Sequence, residues 1–136
     1  MSENGFHFNL VCPEFQIGFD EVEMAVIPGV EGDFGILPSH APMISMLRSG
    51  VVEVHSSKEG NKRIFVRDGF AEVLAGDVVV LAEEIVLLDD LDAGELAQKI
   101  QNAREDVADA KDEETLEGAK ANLEHLEQLE QAIKPN

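Results

Sequence analysis

The strongest constraint in this sequence is a change of hydrophobic period near Asp89. From Phe6 to about Leu88, apolar residues alternate with polar ones in short runs, as in strands buried on one face. Beyond Asp89 they recur every third or fourth position, as in amphipathic helices. One segment cannot satisfy both periods, so the chain must build a sheet region and then a helical region.

In the first region Phe6, Phe8, Leu10 and Cys12 set the alternation. Runs follow at Phe15-Ile17-Phe19, Val22-Met24-Val26, Ile44-Met46, Val52-Val54, Ile64-Val66, Phe70 to Leu74 and Val78 to Leu81. Turn chemistry at Pro28-Gly29, Gly50, Glu59-Gly60-Asn61, Asp68-Gly69 and Gly76-Asp77 separates them. This spacing predicts an antiparallel β-sandwich or barrel. Pro13, Pro28, Pro38 and Pro42 also fall here, which suits sheet edges and corners and forbids long helices.

In the second region Ala, Leu, Glu, Lys and Gln replace Val and Gly, a shift toward good helix formers. Leu96, Ile100, Ala103, Val107 and Ala110 mark one apolar stripe, and Leu116, Ala119, Leu123, Leu126 and Ile133 a second. Asp92 with Glu95 reads as a capping box, and Asp112 as the cap of the second helix. The organisation expected is therefore β + α: an N-terminal antiparallel β-sandwich over residues 1–88, then a C-terminal antiparallel two-helix hairpin over 89–136. Asp89, Asp90 and Asp92 make a solvated joint between them.

Charge narrows the partners. The 136 residues carry 28 acids against 10 bases, a formal net charge of -18. Such a surface repels nucleic-acid phosphates and anionic lipid, and without Trp or Tyr the chain lacks the rings that best stack on bases. No run approaches the roughly 18 apolar residues of a membrane span. The single Cys12 cannot form an internal disulfide, and no basic region leads into an apolar run at the N-terminus, so a cytosolic setting is expected.

Motifs for chemistry are missing. Gly29, Gly32 and Gly35 match neither G-x-G-x-x-G nor a P-loop, and Glu31 and Asp33 would repel a phosphate, so turn and bulge roles are expected. Asp33-Phe34-Gly35 spells a kinase tripeptide without the rest of the kinase set. His7, His40, His55 and His125 are scattered, and Ser39-His40 lacks the G-x-S-x-G context of a nucleophile. The acidic joint lacks the closing Glu of a calcium loop, Gln101 standing in its place. No catalytic residue, metal or cofactor is expected.

The segment Val26-Ile27-Pro28-Gly29-Val30-Glu31-Gly32-Asp33-Phe34-Gly35-Ile36-Leu37-Pro38-Ser39-His40-Ala41-Pro42 resembles the epsilon subunit of F-type ATP synthases. The family form P-G-x-x-G-x-x-G-I-L-P-x-H-A-P is followed by an apolar stretch and a Gly-Val-Val strand, matched here by Met43 to Leu47 and Gly50-Val51-Val52. Phe65 to Val73 and Asp77 to Ala82 are similar to later strands of that family. The resemblance implies a ten-stranded sandwich and a helical hairpin in a rotor subunit of the central stalk, peripheral at the cytoplasmic face of the inner membrane and without catalytic residues of its own. It implies that Glu31, Gly32, Asp33, Phe34 and His40 lie in a loop facing the c-subunit ring. Met43, Ile44, Met46 and Leu47 would meet the gamma subunit, and the hairpin would reach the alpha and beta subunits.

In many bacterial members the hairpin restrains ATP hydrolysis, and in some it binds ATP. Here the ATP motif is degenerate: Asp92 is followed by Glu95 and Leu96 where the family motif has Arg and then Ala. Residues 91–136 hold 12 acids and 5 bases, and Lys120 and Lys134 are outnumbered by Glu117, Glu124, Glu127 and Glu130. An acidic catalytic-subunit surface would repel such a hairpin, so weak or absent inhibition and no ATP site are expected. The alternative is a small cupin-like ligand-binding or enzymatic sandwich with an oligomerising hairpin, for which His40 and His55 lack the His-x-His pairing.

Overall fold

The structure is a computed structural model that describes residues 5–134. The chain divides into two units between Asp89 and Asp90. The first holds seven strands: β1 (Phe6–Val11), β2 (Gln16–Gly29), β3 (Gly32–Ile36), β4 (Met43–Leu47), β5 (Gly50–Ser56), β6 (Gly60–Leu74) and β7 (Asp77–Leu87). They form a β-sandwich-like sheet in which β1 pairs with both β2 and β7, β7 with β6, β6 with β4 and β5, and β5 with β2. Every pairing is antiparallel except β1 with β7, which join the first and last strands in parallel.

Seven strands replace the ten that the resemblance implies, because β2, β6 and β7 are long and take up runs that look separate in the sequence. β6 pairs with β5 through Gly60–Val66 and with β4 through Gly69–Val73. Asp68-Gly69 is thus a bend inside a strand and not a hairpin turn. Asp68 adopts a left-handed φ of 47°, and a Cβ on Gly69 would stand 1.9 Å from the Leu81 carbonyl oxygen of β7. Glu21 bends β2 in the same manner, with φ 53° beside a register shift against β5. Pro28-Gly29 closes β2, and the turn itself falls on Val30-Glu31.

Alternation decides which side chains fill the centre. Phe6, Phe8 and Leu10 of β1 are buried while His7 between them is exposed, and Val52, Val54, Ile64, Val66, Val78 and Val80 complete the same cluster. Each such side chain contributes about 1.5–3 kcal/mol by leaving water. Cys12 belongs to this cluster as a buried free thiol.

The second unit is an α-helical hairpin, α1 (Ala93–Asp109) and α2 (Glu113–Ile133). A three-residue connection turns the chain back, and Arg104 of α1 pairs with Glu127 of α2 at 3.6 Å. Leu96, Ile100 and Ala103 are buried as their period predicts. On α2 the buried pair is Leu129 and Ala132, one step along the helix from the half-buried Leu126 and Ile133 of the expected stripe. Asp92 caps α1 by accepting from the Gly94 and Glu95 amides at 2.8 and 3.1 Å, without a returning bond from Glu95. Asp112 caps α2, accepting from the Thr115 amide at 2.7 Å and the Thr115 hydroxyl at 3.0 Å.

Two outcomes follow from these local geometries. Gly69→Ala is expected to lose about 3 kcal/mol in chemical denaturation, because its methyl meets backbone on β7. Gly60→Ala, whose Cβ would meet nothing within 4 Å, should lose about 1 kcal/mol for its φ of 82° alone; the reverse order would contradict the bend. The Thr115 amide and hydroxyl hold the Asp112 carboxyl below its usual range. Its capping contribution is therefore complete above the ordinary carboxylate pKa and is lost as pH falls through the lower folded value. Asp112→Ala should lower the protection of the Thr115 amide, relative to its intrinsic exchange rate, at neutral pH, and acidification should lower that protection likewise in the unaltered chain.

Candidate functional site

Three devices shape the candidate surfaces of the sandwich, two of them meeting where β2 passes into β3. The first is the β2–β3 hairpin tip. Gly32 adopts φ +132° with nothing within 4 Å of an added Cβ, a conformation that lets the tip turn tightly. Glu31, Gly32 and Asp33 are exposed, while Phe34 is half-buried against the core and anchors the tip from below.

Arg48, directly after β4, fixes this tip. Its Nη1 donates to the Gly29 carbonyl at 2.8 Å, its Nη2 pairs with Asp33 Oδ1, and its amide donates to the Pro28 carbonyl at 3.0 Å. The ion pair is exposed, so its energy is small, but the two-pronged guanidinium fixes direction as well as distance. Arg48 was not singled out in the sequence. The signal available was its place: one of 10 basic residues in an acidic chain, at the end of an apolar strand.

His40 is the second device. Its Nδ1 faces the Leu37 carbonyl at 2.7 Å, its Nε2 faces the Leu74 carbonyl at the end of β6, and its ring meets Phe6 edge to face at 5.1 Å. A neutral ring donates to one of these carbonyls and a protonated ring to both. His40 therefore ties the loop after β3 to the end of β6, and it stands apart from the tip residues with which the resemblance groups it.

The third device is an apolar outer surface. Ile44 and Met46 point outward from β4 and are 68% and 58% exposed, and Met43 is exposed as well. Leu47 points the other way: it is buried within the core cluster and supports the surface from beneath, so it presents no contact of its own. Register extends the surface across strands, since Met46 lies opposite Phe70 and Phe70 opposite Leu81, both exposed. Exposed apolar residues in a continuous row mark an interaction surface more often than scattered ones do. Phe70 and Leu81 were missed in the sequence because register is a property of pairing, invisible along a single strand.

An open groove of about 560 Å³ brings the first and third devices together, lined by Gly29 to Phe34 on one side and Met43 to Met46 on the other. At the second unit, Asp92, Glu95 and Leu96 serve the start of α1: cap, exposed first-turn acid and buried side chain. Among the described residues no group of His, Cys, Asp or Glu is arranged to hold a metal ion. His55 lies beside Glu53 at 3.7 Å on β5.

Residues 5–88 match the ATP synthase delta/epsilon chain beta-sandwich domain. The chain is similar to ATP synthase epsilon chains from Parvibaculum lavamentivorans, 46% identical over 93% of this chain and 96% of the relative, and from Mesorhizobium japonicum, 41% identical over 96% of each. Its fold is similar to a chain of the Euglena gracilis mitochondrial ATP synthase, in a structure that includes the c-ring, with a TM-score of 0.71 and 27% identity over 93% of this chain and 80% of that one. A chain of the Tetrahymena thermophila mitochondrial ATP synthase central stalk and c-ring shares the fold, with a TM-score of 0.62 and 14% identity over 95% and 96%. The tip, the apolar row and the helical hairpin are thus features of a chain that belongs to the ATP synthase delta/epsilon family.

Proposed function

We propose that this chain is a non-catalytic central-stalk subunit of a proton-translocating F-type ATP synthase, coupling rotation of the c-ring to ATP synthesis. The observation that carries this reading is the row Met46, Phe70 and Leu81 beside an acidic tip, on the sandwich of a family whose named relatives are ATP synthase epsilon chains. The row is the surface for the gamma subunit, through Met43, Ile44 and Met46. Glu31, Gly32, Asp33 and Phe34 are the surface for the c-ring, where exposed polar groups on a rigid turn suit polar loops of the ring. Arg48 holds the tip to the end of β4 and so fixes the direction of the c-ring surface relative to the gamma surface, which torque transmission requires. Family kinship favours this reading over a cupin-like enzyme.

No helix in the described residues is long and apolar enough to cross a membrane. The chain is held peripherally at the cytoplasmic face through the c-ring. Residues 1–88 are the binding domain, and 89–136 form a hairpin that neither binds ATP nor restrains hydrolysis. Asp92 is engaged as a helix cap, and the net charge of the region opposes an acidic partner.

Membranes of the source cell carrying the full chain are compared with membranes carrying a chain that ends at Leu88. Hydrolysis is expected to stay within about twofold, a difference below roughly 0.5 kcal/mol in barrier. A rise of several-fold would show an inhibitory hairpin. For the gamma surface, Met46→Glu should weaken gamma binding by about 10- to 100-fold, as a charge in an apolar contact costs ~1–3 kcal/mol. Arg48→Ala should leave that affinity within about threefold, as an exposed ion pair contributes ~1 kcal/mol at most, yet lower the protons pumped per ATP. Equal loss of affinity in both variants would contradict the division of roles.

A further inference from the structure

The groove has a feature that side-chain docking does not use: an open strand edge. β4 pairs along its length with β6, but with β2 it shares only the Gly29–Leu47 position, because the chain turns away at Val30-Glu31 into β3. The Met46 carbonyl accepts from the Val30 amide at 3.0 Å, so it points away from β6. Backbone groups alternate sides along a strand, so the Ile44 amide and carbonyl and the Met46 amide point the same way, into the groove. Among the described residues none of these three groups has a hydrogen-bond partner. Open edges of this kind are sites of strand addition, and native chains ordinarily blunt them with charge, proline or a cover.

We propose that the β4 edge receives an extended segment of the gamma subunit as an added strand, bonded through the Ile44 amide and carbonyl and the Met46 amide. This deepens the central-stalk reading and rests on it. The added strand's outward side chains would be apolar, continuing the row Leu81, Phe70, Met46 by one more position. Its far edge would face the hairpin tip. There Asp33 is engaged by Arg48, and the acidic tip repels an acidic segment while leaving Glu31 to the c-ring. A second copy of this chain, with a net charge of -18, is a poor occupant by the same electrostatic argument.

The test is residue-resolved amide hydrogen exchange on the full chain, alone and with the gamma subunit of the same synthase. Alone, Ile44 and Met46 amides should exchange fast, while Ser45 and Leu47, which face β6, exchange slowly. With gamma, Ile44 and Met46 should slow by tenfold or more. If gamma binds and these two amides keep their fast exchange, docking runs through side chains only and the strand proposal is overturned while the stalk reading stands. If gamma does not bind, the stalk reading falls and takes this with it. Protection that rises with the chain's own concentration and without gamma would assign the edge to a homodimer and overturn the proposal.

Discussion

Everything at the functional end depends on the bend of β6 at Asp68-Gly69. Gly69 lies so close to the Leu81 carbonyl that no side chain fits, and Asp68 beside it turns left-handed. Because of this bend one strand pairs with β5 over its first part and with β4 over its second. β4 is thereby carried alongside the β2–β3 hairpin, and Phe70, the next residue, is placed in line with Met46 and Leu81. A β6 that ended at Asp68 would leave β4 paired only at Gly29–Leu47 and the apolar row without its middle member.

Short-range polar ties then join these elements, above the apolar support of Leu47 and Phe34. Arg48 joins the tip to the end of β4, and His40 joins the loop after β3 to the end of β6. Each tie is exposed or half-buried and contributes little to folding stability. Their effect is directional: Arg48 orients the tip against the end of β4, and His40 orients the loop after β3 against the end of β6. A subunit that passes torque between two partners needs such orientations fixed more than it needs additional stability.

Much of this was legible in the sequence. The two periods separate sheet from helices, the alternation in β1 names its buried side chains, and both helix caps stand where acids precede the apolar stripes. The loop from Val26 to Pro42 identifies the family by its residues. What stayed hidden depends on pairing across strands. Asp68-Gly69 has the chemistry of a turn and serves as a bend, because β7 lies across it. Leu47 reads as one more apolar strand residue, and only its side of β4 shows that it faces inward. Arg48 and the row through Phe70 and Leu81 exist as partners only once the register is set.

A subunit of the ATP synthase central stalk works by contact, and its contacts are meaningful only inside a larger machine. The direct measurement is ATP synthesis at a fixed protonmotive force in source-cell membranes depleted of this chain, before and after the purified full chain is added back. Restoration of synthesis to the level of undepleted membranes, in proportion to the amount of chain bound, is the expected result. Synthesis that is undiminished by depletion, or that stays low when the chain rebinds, would contradict a coupling role.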